Sequence, residues 1–204
     1  MKTMMTLAAA LAASTATAQI TSEDDATFGV DSITRDAGQQ LDFLDLTLST
    51  NRSFNDVSTQ FGSGGEFEGW RHATMIEVGT LATNWGFSPA IPQVNAPMSF
   101  PGDPGTLDGL VALLGQTATG NNSSLQTYTA SIGVTGTDQV GVLQLTVQLR
   151  DFDDPGVGDL VGVSNIPDAG RSPASGHYLV RAVPAPSSAV LLGVAGLAAT
   201  RRRR

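Results

Sequence analysis

The N-terminal end of the chain is a short apolar segment that is not built like part of a globular core. Residues 4–13 are mostly apolar, follow the only lysine, Lys2, and precede the small-residue pair Ala16 and Ala18. A basic start, an apolar stretch and a small-x-small site are typical of a secretory signal peptide. We therefore expect signal peptidase to remove residues 1–18, so that the mature chain begins at Gln19.

The C-terminal segment, residues 183–204, is equally unlike a domain core. Its apolar run, residues 187–200, would span only ~21 Å as a helix, less than the ~30 Å hydrocarbon core of a bilayer. Arginines after an apolar run stay on the cytoplasmic side and stop translocation. The sequence therefore predicts an apolar C-terminal helix that anchors the chain marginally. The proline motif before it is Val183, Pro184, Ala185 and Pro186, and the stop-transfer cluster after it is Arg201, Arg202, Arg203 and Arg204.

This tripartite tail resembles the PEP-CTERM sorting signal of Gram-negative bacteria, which is also labelled an ice-binding protein C-terminal domain. The resemblance implies cleavage near the proline motif by exosortase, a membrane protease-transpeptidase. It also implies a membrane-anchored precursor that ends at the cell surface or outside the cell, together with extracellular polysaccharide. Ala185 stands where the family has a central Glu, and an anchor that is never cut remains the alternative. Residues 41–78 resemble a stretch of other PEP-CTERM proteins without assigned activity, which implies a shared fold.

Residues 19–182 are long enough for one well-buried core, and we expect a single domain there. The chain has 23 glycines and 10 prolines, a composition that favours a β-rich domain with many loops. With no cysteine, disulfides, thiolate metal sites and a cysteine nucleophile are excluded. Residues 19–200 contain six arginines and 19 acidic residues, which gives a net charge of −13. Such an acidic body repels nucleic acid, so we expect no nucleic-acid partner.

Alternating apolar residues predict an antiparallel β-sandwich. The alternation is clearest at 125–134 and 140–149, and a hairpin turn is expected at 135–138 between them. In the second of these strands, Leu145 and its i ± 2 neighbours share one face. Four further predicted strands are residues 27–33, 41–48, 66–73 and 177–183.

Two or three short helices are expected to interrupt the strands. Thr74 and Glu77 have capping-box spacing and predict a helix toward Trp85. Ser53 is suited to cap a helix over residues 54–60, and Thr106 one over residues 107–114. The five prolines between residues 87 and 105 predict an irregular surface crossing.

The acidic, glycine-containing stretch 151–159 is the strongest candidate for a metal site. Ca²⁺ takes six to eight oxygen ligands from closely spaced carboxylates and carbonyls. The stretch lacks EF-hand spacing, and a solvated acidic hairpin is the alternative. No other cofactor is expected. The candidate ligands are Asp151, Asp153, Asp154 and Asp159.

Three other groups are weaker candidates for chemistry. The two histidines, His72 and His177, lack zinc-site spacing, no G-x-S-x-G nucleophile motif occurs, and His72 is interpreted as structural. Glu66 and Glu68 would share a strand face and could mimic a glycosidase carboxylate pair, but such spacing is common on solvent faces. Trp70 is interpreted as a core aromatic ring with the Arg71 guanidinium stacked on it, or alternatively as a sugar-binding platform.

No catalytic residues are evident, so the sequence favours a non-enzymatic structural or interaction protein at the cell surface or in the extracellular matrix. Its expected partners are signal peptidase, an exosortase-like protease and extracellular polysaccharide. Two other classes stay open: a carbohydrate- or Ca²⁺-binding adhesion module, and a secreted hydrolase.

Overall fold

The computed structural model describes residues 19–87, 98–101, 106–121, 125–138, 143–153 and 157–183. The predicted signal peptide and the segment from Pro184 onward, including the apolar helix, lie outside these residues. No helix within the described ranges is long and apolar enough to cross a membrane. The described residues are mainly β, as the sequence predicted.

A five-stranded antiparallel sheet, the first sheet, contains both ends of the described domain. Its strand order is β1-β2-β3-β11-β4, so the last long strand lies between two strands from the first half of the chain. The strands are β1 (Ile20–Asp25), β2 (Gly29–Asp36), β3 (Leu41–Leu44), β4 (Arg71–His72) and β11 (Leu179–Ala182).

The second sheet is formed by the other strands, in the order β10-β7-β8-β9-β5, with β6 also paired to β7. All its pairings are antiparallel except that of β10 with β7. The strands are β5 (Met98–Pro101), β6 (Ala118–Asn121), β7 (Thr127–Asp138), β8 (Leu143–Phe152), β9 (Val157–Pro167) and β10 (Gly176–His177).

Three α-helices and one 3-10 helix complete the described fold: α1 (Phe54–Ser58), α2 (Met75–Trp85), α3 (Thr106–Leu114) and the 3-10 helix Leu46–Ser49. The predicted caps at Ser53 and Thr74 are confirmed. Ser53 accepts a hydrogen bond from the Asp56 N–H, and Thr74 and Glu77 form the full capping box. The third predicted helix is also confirmed, although it already begins at Thr106.

Helix α3 lies between the two sheets, so the sheets do not simply face each other as in the predicted sandwich. The Thr34 hydroxyl of the first sheet donates to the Leu113 carbonyl at 2.7 Å. From the second sheet, the buried Ser131 hydroxyl lies 3.1 Å from the Val111 carbonyl and 2.9 Å from that of Gly115. These bonds satisfy carbonyls at the C-terminal end of α3, which have no partner within the helix.

The main core is formed by apolar residues from both sheets and from α2 and α3. The alternation predicted for β8 is confirmed on one face, because Leu145, Val147 and Leu149 are buried. A second, smaller core covers the other face of the first sheet, beneath residues 53–70. Its members are Ile33, Leu44, Val57, Phe67, Trp70 and Leu179.

Two predicted strands are wrong over half of their length or more. Strand β3 ends at Leu44 instead of residue 48, because the Asp45 carboxylate accepts from the Thr47 N–H and begins a 3-10 helix. Only Arg71–His72 of the predicted strand 66–73 is extended. Tight turns replace the remainder, since Gly69 has φ +82° and the N–H of Trp70 bonds to the Phe67 carbonyl.

The remaining corrections concern strand ends and missed strands. Strand β2 begins at Gly29, later than predicted, and β7 extends to Asp138 through the predicted turn at 135–138. Strand β5 lies within the stretch predicted to be an irregular crossing. Strands β1, β6 and β9 were not predicted; in β9, Gly158, Asp159 and Gly162 concealed the pattern.

Asp36 joins β2 to α2 and to the turn before β3. It is fully buried, and its carboxylate accepts from the Gly38 and Gln39 backbone N–H groups at 2.8 and 3.1 Å. The Asn84 side-chain amide donates to both carboxylate oxygens at 3.0 and 2.9 Å. A buried charge is tolerated only when it is hydrogen-bonded in this way.

We predict that Asp36→Ala lowers the free energy of unfolding by about 3 kcal/mol, because several buried donors lose their acceptor. The matched control, Asp153→Ala, removes an exposed carboxylate and should change stability by less than about 0.5 kcal/mol. Urea unfolding at pH 7 measures both. Equal effects of the two variants would show that Asp36 does not hold β2 and α2 together.

Candidate functional site

The most concentrated group of polar and aromatic side chains surrounds His72 and His177. His72 lies on β4 of the first sheet and His177 on β10 of the second, 105 residues apart in sequence. Their rings meet with 3.1 Å between His72 Nε2 and His177 Nδ1. His72 is 8% exposed and His177 1%. The pair therefore joins the two sheets from the inside.

The hydrogen-bond partners assign the protons of both rings. His177 Nε2 lies 3.1 Å from the Arg52 carbonyl oxygen, which can only accept, so Nε2 carries a proton. In a neutral ring Nδ1 of His177 is then the acceptor, and His72 Nε2 donates to it. The pair is a directed chain of two neutral imidazoles that ends on a backbone carbonyl.

Apolar rings enclose the pair. The Phe54 ring stacks on His72 with 4.2 Å between centroids, and Phe61 meets His72 edge-on at 5.1 Å. Burial, with a smaller contribution from His177, lowers the pKa of His72 to about 3. Burial also lowers the pKa of His177 to about 4, although its bond to the Arg52 carbonyl acts in the opposite direction. Both rings are therefore neutral at physiological pH.

This arrangement stabilises the fold and is poorly suited to catalysis. A general base works best with a pKa near the operating pH, and these values lie well below it. The nearby Ser49 hydroxyl accepts the His177 backbone N–H at 2.8 Å and is itself buried. Both imidazoles and this hydroxyl are engaged in contacts within the protein.

Trp70 does not carry the guanidinium that the sequence assigned to it. Arg71 forms a bidentate ion pair with Glu77, with N–O distances of 2.9 and 2.6 Å. The cation over the Trp70 ring is Arg181 of β11, with Cζ 4.5 Å from the ring centroid. Trp70 is 5% exposed, so it offers no free face to a sugar.

Arg181 belongs to an ion network that the sequence did not predict. Its Nη1 lies 2.7 Å from Asp25, and its Nε lies 3.3 Å from Asp42. Asp42, with a 1% exposed side chain, also receives two hydrogen bonds from Arg35 at 2.7 and 3.1 Å. The sequence signal for this network was a charged residue within a short, mostly apolar strand: Asp42 in β3 and Arg181 in β11. A buried carboxylate must be paired, so Asp42 depends on both arginines.

The two glutamates considered as a glycosidase pair lie in turns, so the predicted shared strand face is wrong. Glu66 pairs with Arg52 at 2.5 Å. Glu68 accepts the Gly64 N–H at 2.7 Å. Each carboxylate therefore has its own partner, Arg52 just before α1 for Glu66 and the backbone of the same loop for Glu68.

The predicted Ca²⁺ ligands lie partly on strands and partly outside the described residues. Asp151 is on β8, directly opposite Thr129 of β7, and Asp159 is on β9. Asp154 lies outside the described residues. Burial first, and then the charges of Asp108 and Asp153, raise the pKa of Asp151. The described part of the chain holds no group of three or more His, Cys, Asp or Glu residues arranged around a metal.

We predict that the protein loses stability as the pH falls below 6.5. Each histidine has a lower pKa in the folded chain than its ordinary 6.5, so only the unfolded chain gains protons between pH 6.5 and about 4. The loss amounts to about 1.4 kcal/mol per pH unit for each histidine. Urea unfolding between pH 7 and 5 measures it, and a flat profile over this range would contradict a buried neutral pair.

We also predict that Asp151→Asn raises the melting temperature at pH 7 in the absence of Ca²⁺, because it removes one of three neighbouring negative charges. Asp24→Asn, at an exposed site on β1, is the control. If Ca²⁺ binds, excess Ca²⁺ raises the melting temperature of the native chain but not of Asp151→Asn. A lower melting temperature for Asp151→Asn without Ca²⁺ would contradict the repulsion.

Comparison with known proteins gives no relative from which a role could be transferred: no protein family matches the sequence, and no curated protein or solved structure is significantly similar.

Proposed function

We propose that this chain is an exported protein with a non-enzymatic structural or interaction role, displayed at the cell surface or in the extracellular matrix through its PEP-CTERM-like tail. One observation supports this most: sheet hydrogen bonds at Gln19 and Val183 close the described domain just inside the two predicted sorting segments. Strand β1 begins at Ile20, one residue after the expected signal-peptide cut, and β11 ends at Ala182.

A hydrogen bond to the first sheet reaches the last residue before the motif Pro184-Ala185-Pro186. The Val183 N–H donates to the Gln40 carbonyl at 3.0 Å. Pro184 follows, and a proline has no N–H with which to continue the ladder. Cleavage at the motif Pro184-Ala185-Pro186 would therefore leave the sheet intact, although Val183 itself is part of it.

A non-enzymatic role is supported by the way the titratable groups are used. The two histidines bond to each other and to the backbone, and the carboxylates of Asp36 and Asp42 are satisfied within the fold. The Ca²⁺-binding alternative retains one observation in its favour, the mutual repulsion around Asp151 that a cation would relieve.

Truncation tests the boundary between domain and tail. We predict that a chain ending at Val183 keeps the full free energy of unfolding and becomes soluble in the periplasm. A chain ending at Leu179 should not fold, because it loses most of β11, which pairs with β3 on one side and β4 on the other. Circular dichroism and fractionation of cells measure both properties. A chain ending at Val183 that unfolds or stays with the membrane would contradict the proposal.

The processing step is tested at Ala185, where the family has Glu. We predict that Ala185→Glu speeds removal of the tail in cells that contain an exosortase, whereas the matched variant Ala185→Gln does not. Pulse-chase analysis of the precursor measures the rates. Equal rates for all three chains, or the same rates in cells without exosortase, would contradict sorting by this protease.

A further inference from the structure

Both ends of the described domain lie at the same end of the first sheet. The strand registers align Ile20 with Asp36, Asp36 with Leu41, and Leu41 with Ala182. Strand β1 starts at this row and β11 finishes at it. We call this row, together with the connecting turn 37–40, the terminal pole.

The turn of the terminal pole forms hydrogen bonds with both borders of the described domain, Gln19 and Val183. The Ala37 N–H donates to the Gln19 carbonyl at 3.0 Å, and the Gln40 carbonyl accepts the Val183 N–H at 3.0 Å. Three strand spacings separate β1 from β11, which corresponds to about 14 Å. The points at which the predicted signal peptide and the predicted tail join the domain are therefore close together.

The tether between the domain and the apolar run is very short. Only Pro184, Ala185 and Pro186 separate Val183 from the run 187–200. Three extended residues reach at most about 10 Å, which is less than the width of the domain. An anchored precursor therefore cannot turn freely above the bilayer.

The distribution of charged residues at the terminal pole agrees with a domain that is held close to the bilayer. The turn residues Ala37, Gly38, Gln39 and Gln40 are uncharged, and Asp36 beside them is fully buried. Helix α2 contacts the pole through Asn84, which donates to Asp36, and through the Glu77 carbonyl, which accepts from the Gln39 side chain. The one charged side chain of α2, that of Glu77, is paired with Arg71. Among the described residues, the terminal pole thus presents no unpaired charge, although residues 19–200 carry a net charge of −13. Such a surface avoids the repulsion that the acidic body meets at an anionic bilayer.

We propose that the terminal pole is a membrane-facing surface: in the anchored precursor it lies against the lipid headgroups, and the opposite end of the first sheet points away from the bilayer. This inference rests on the proposed function, since it requires the tail to be inserted. In this orientation the 3-10 helix Leu46–Ser49, which follows the far end of β3, lies on the side that points away from the bilayer.

Because the chain has no cysteine, single cysteines report the orientation without background. Gln40→Cys marks the terminal pole and Thr47→Cys the opposite end, and both positions are exposed. Each full-length variant carries a maleimide fluorophore in vesicles of phosphatidylethanolamine and phosphatidylglycerol that contain a headgroup-quencher lipid. Ala37→Cys is a second marker of the terminal pole. The same variants ending at Val183 are the controls, and melting curves verify folding.

We expect the labels at positions 40 and 37 to be quenched several-fold more than the label at 47 in the full-length chain, and all labels to be unquenched in the truncated chain. Equal quenching at 40 and 47, or stronger quenching at 47, in chains that float with the vesicles would overturn the orientation and leave anchoring intact. Full-length chains that do not float with the vesicles would overturn the proposed function and this inference together.

Discussion

The fold depends on the position of β11 inside the first sheet, between β3 and β4. This strand pairs with β3 on one side and with β4 on the other, so the sheet is incomplete until the chain has been made up to residue 182. Pairings between such distant segments form late, because the loop-closure entropy must be overcome before the contacts stabilise anything. A domain closed by its last strand suits a chain that crosses a membrane unfolded and folds on the other side.

The crossing from β10 to β11 also holds the two sheets together. Tyr178, between His177 of the second sheet and Leu179 of the first, is fully buried. Its N–H donates to the Val134 carbonyl, its carbonyl accepts the Ala73 N–H at 2.7 Å, and its hydroxyl donates to the Ser131 carbonyl at 3.2 Å. With the histidine pair beside it, this single residue connects both sheets, and a polar network of this kind is costly to break.

Local signals in the sequence predicted local structure well. The caps at Ser53 and Thr74 depend on contacts three residues away, and the alternation in β8 depends on one buried face, so both are visible in the sequence. The prediction of strand 41–48 was confirmed up to Leu44 and wrong beyond it, because Asp45 forms a competing local bond to Thr47. Strand β9, with its glycines, is extended because it pairs with β8 and β5, which no short window of sequence contains.

The contacts within the candidate site could not be predicted either, because their partners also lie far apart in the sequence. The contact of His72 with His177 and the stacking of Arg181 on Trp70 join residues separated by most of the domain. The sequence identified both histidines and the tryptophan as notable, but the neighbouring arginine, Arg71, was the wrong partner. The pairing of charges followed from strand order, with β11 beside β3, and this order is a property of the whole fold.

We propose that the domain reaches the outside of the cytoplasm with a removable sorting segment at each end. The mass of the surface-exposed form of the native protein tests it most directly. The account predicts a chain that begins at Gln19 and has lost the four terminal arginines, in cells that contain an exosortase. A surface form that retains Met1, or that keeps Arg201 to Arg204 both with and without the exosortase, would contradict it.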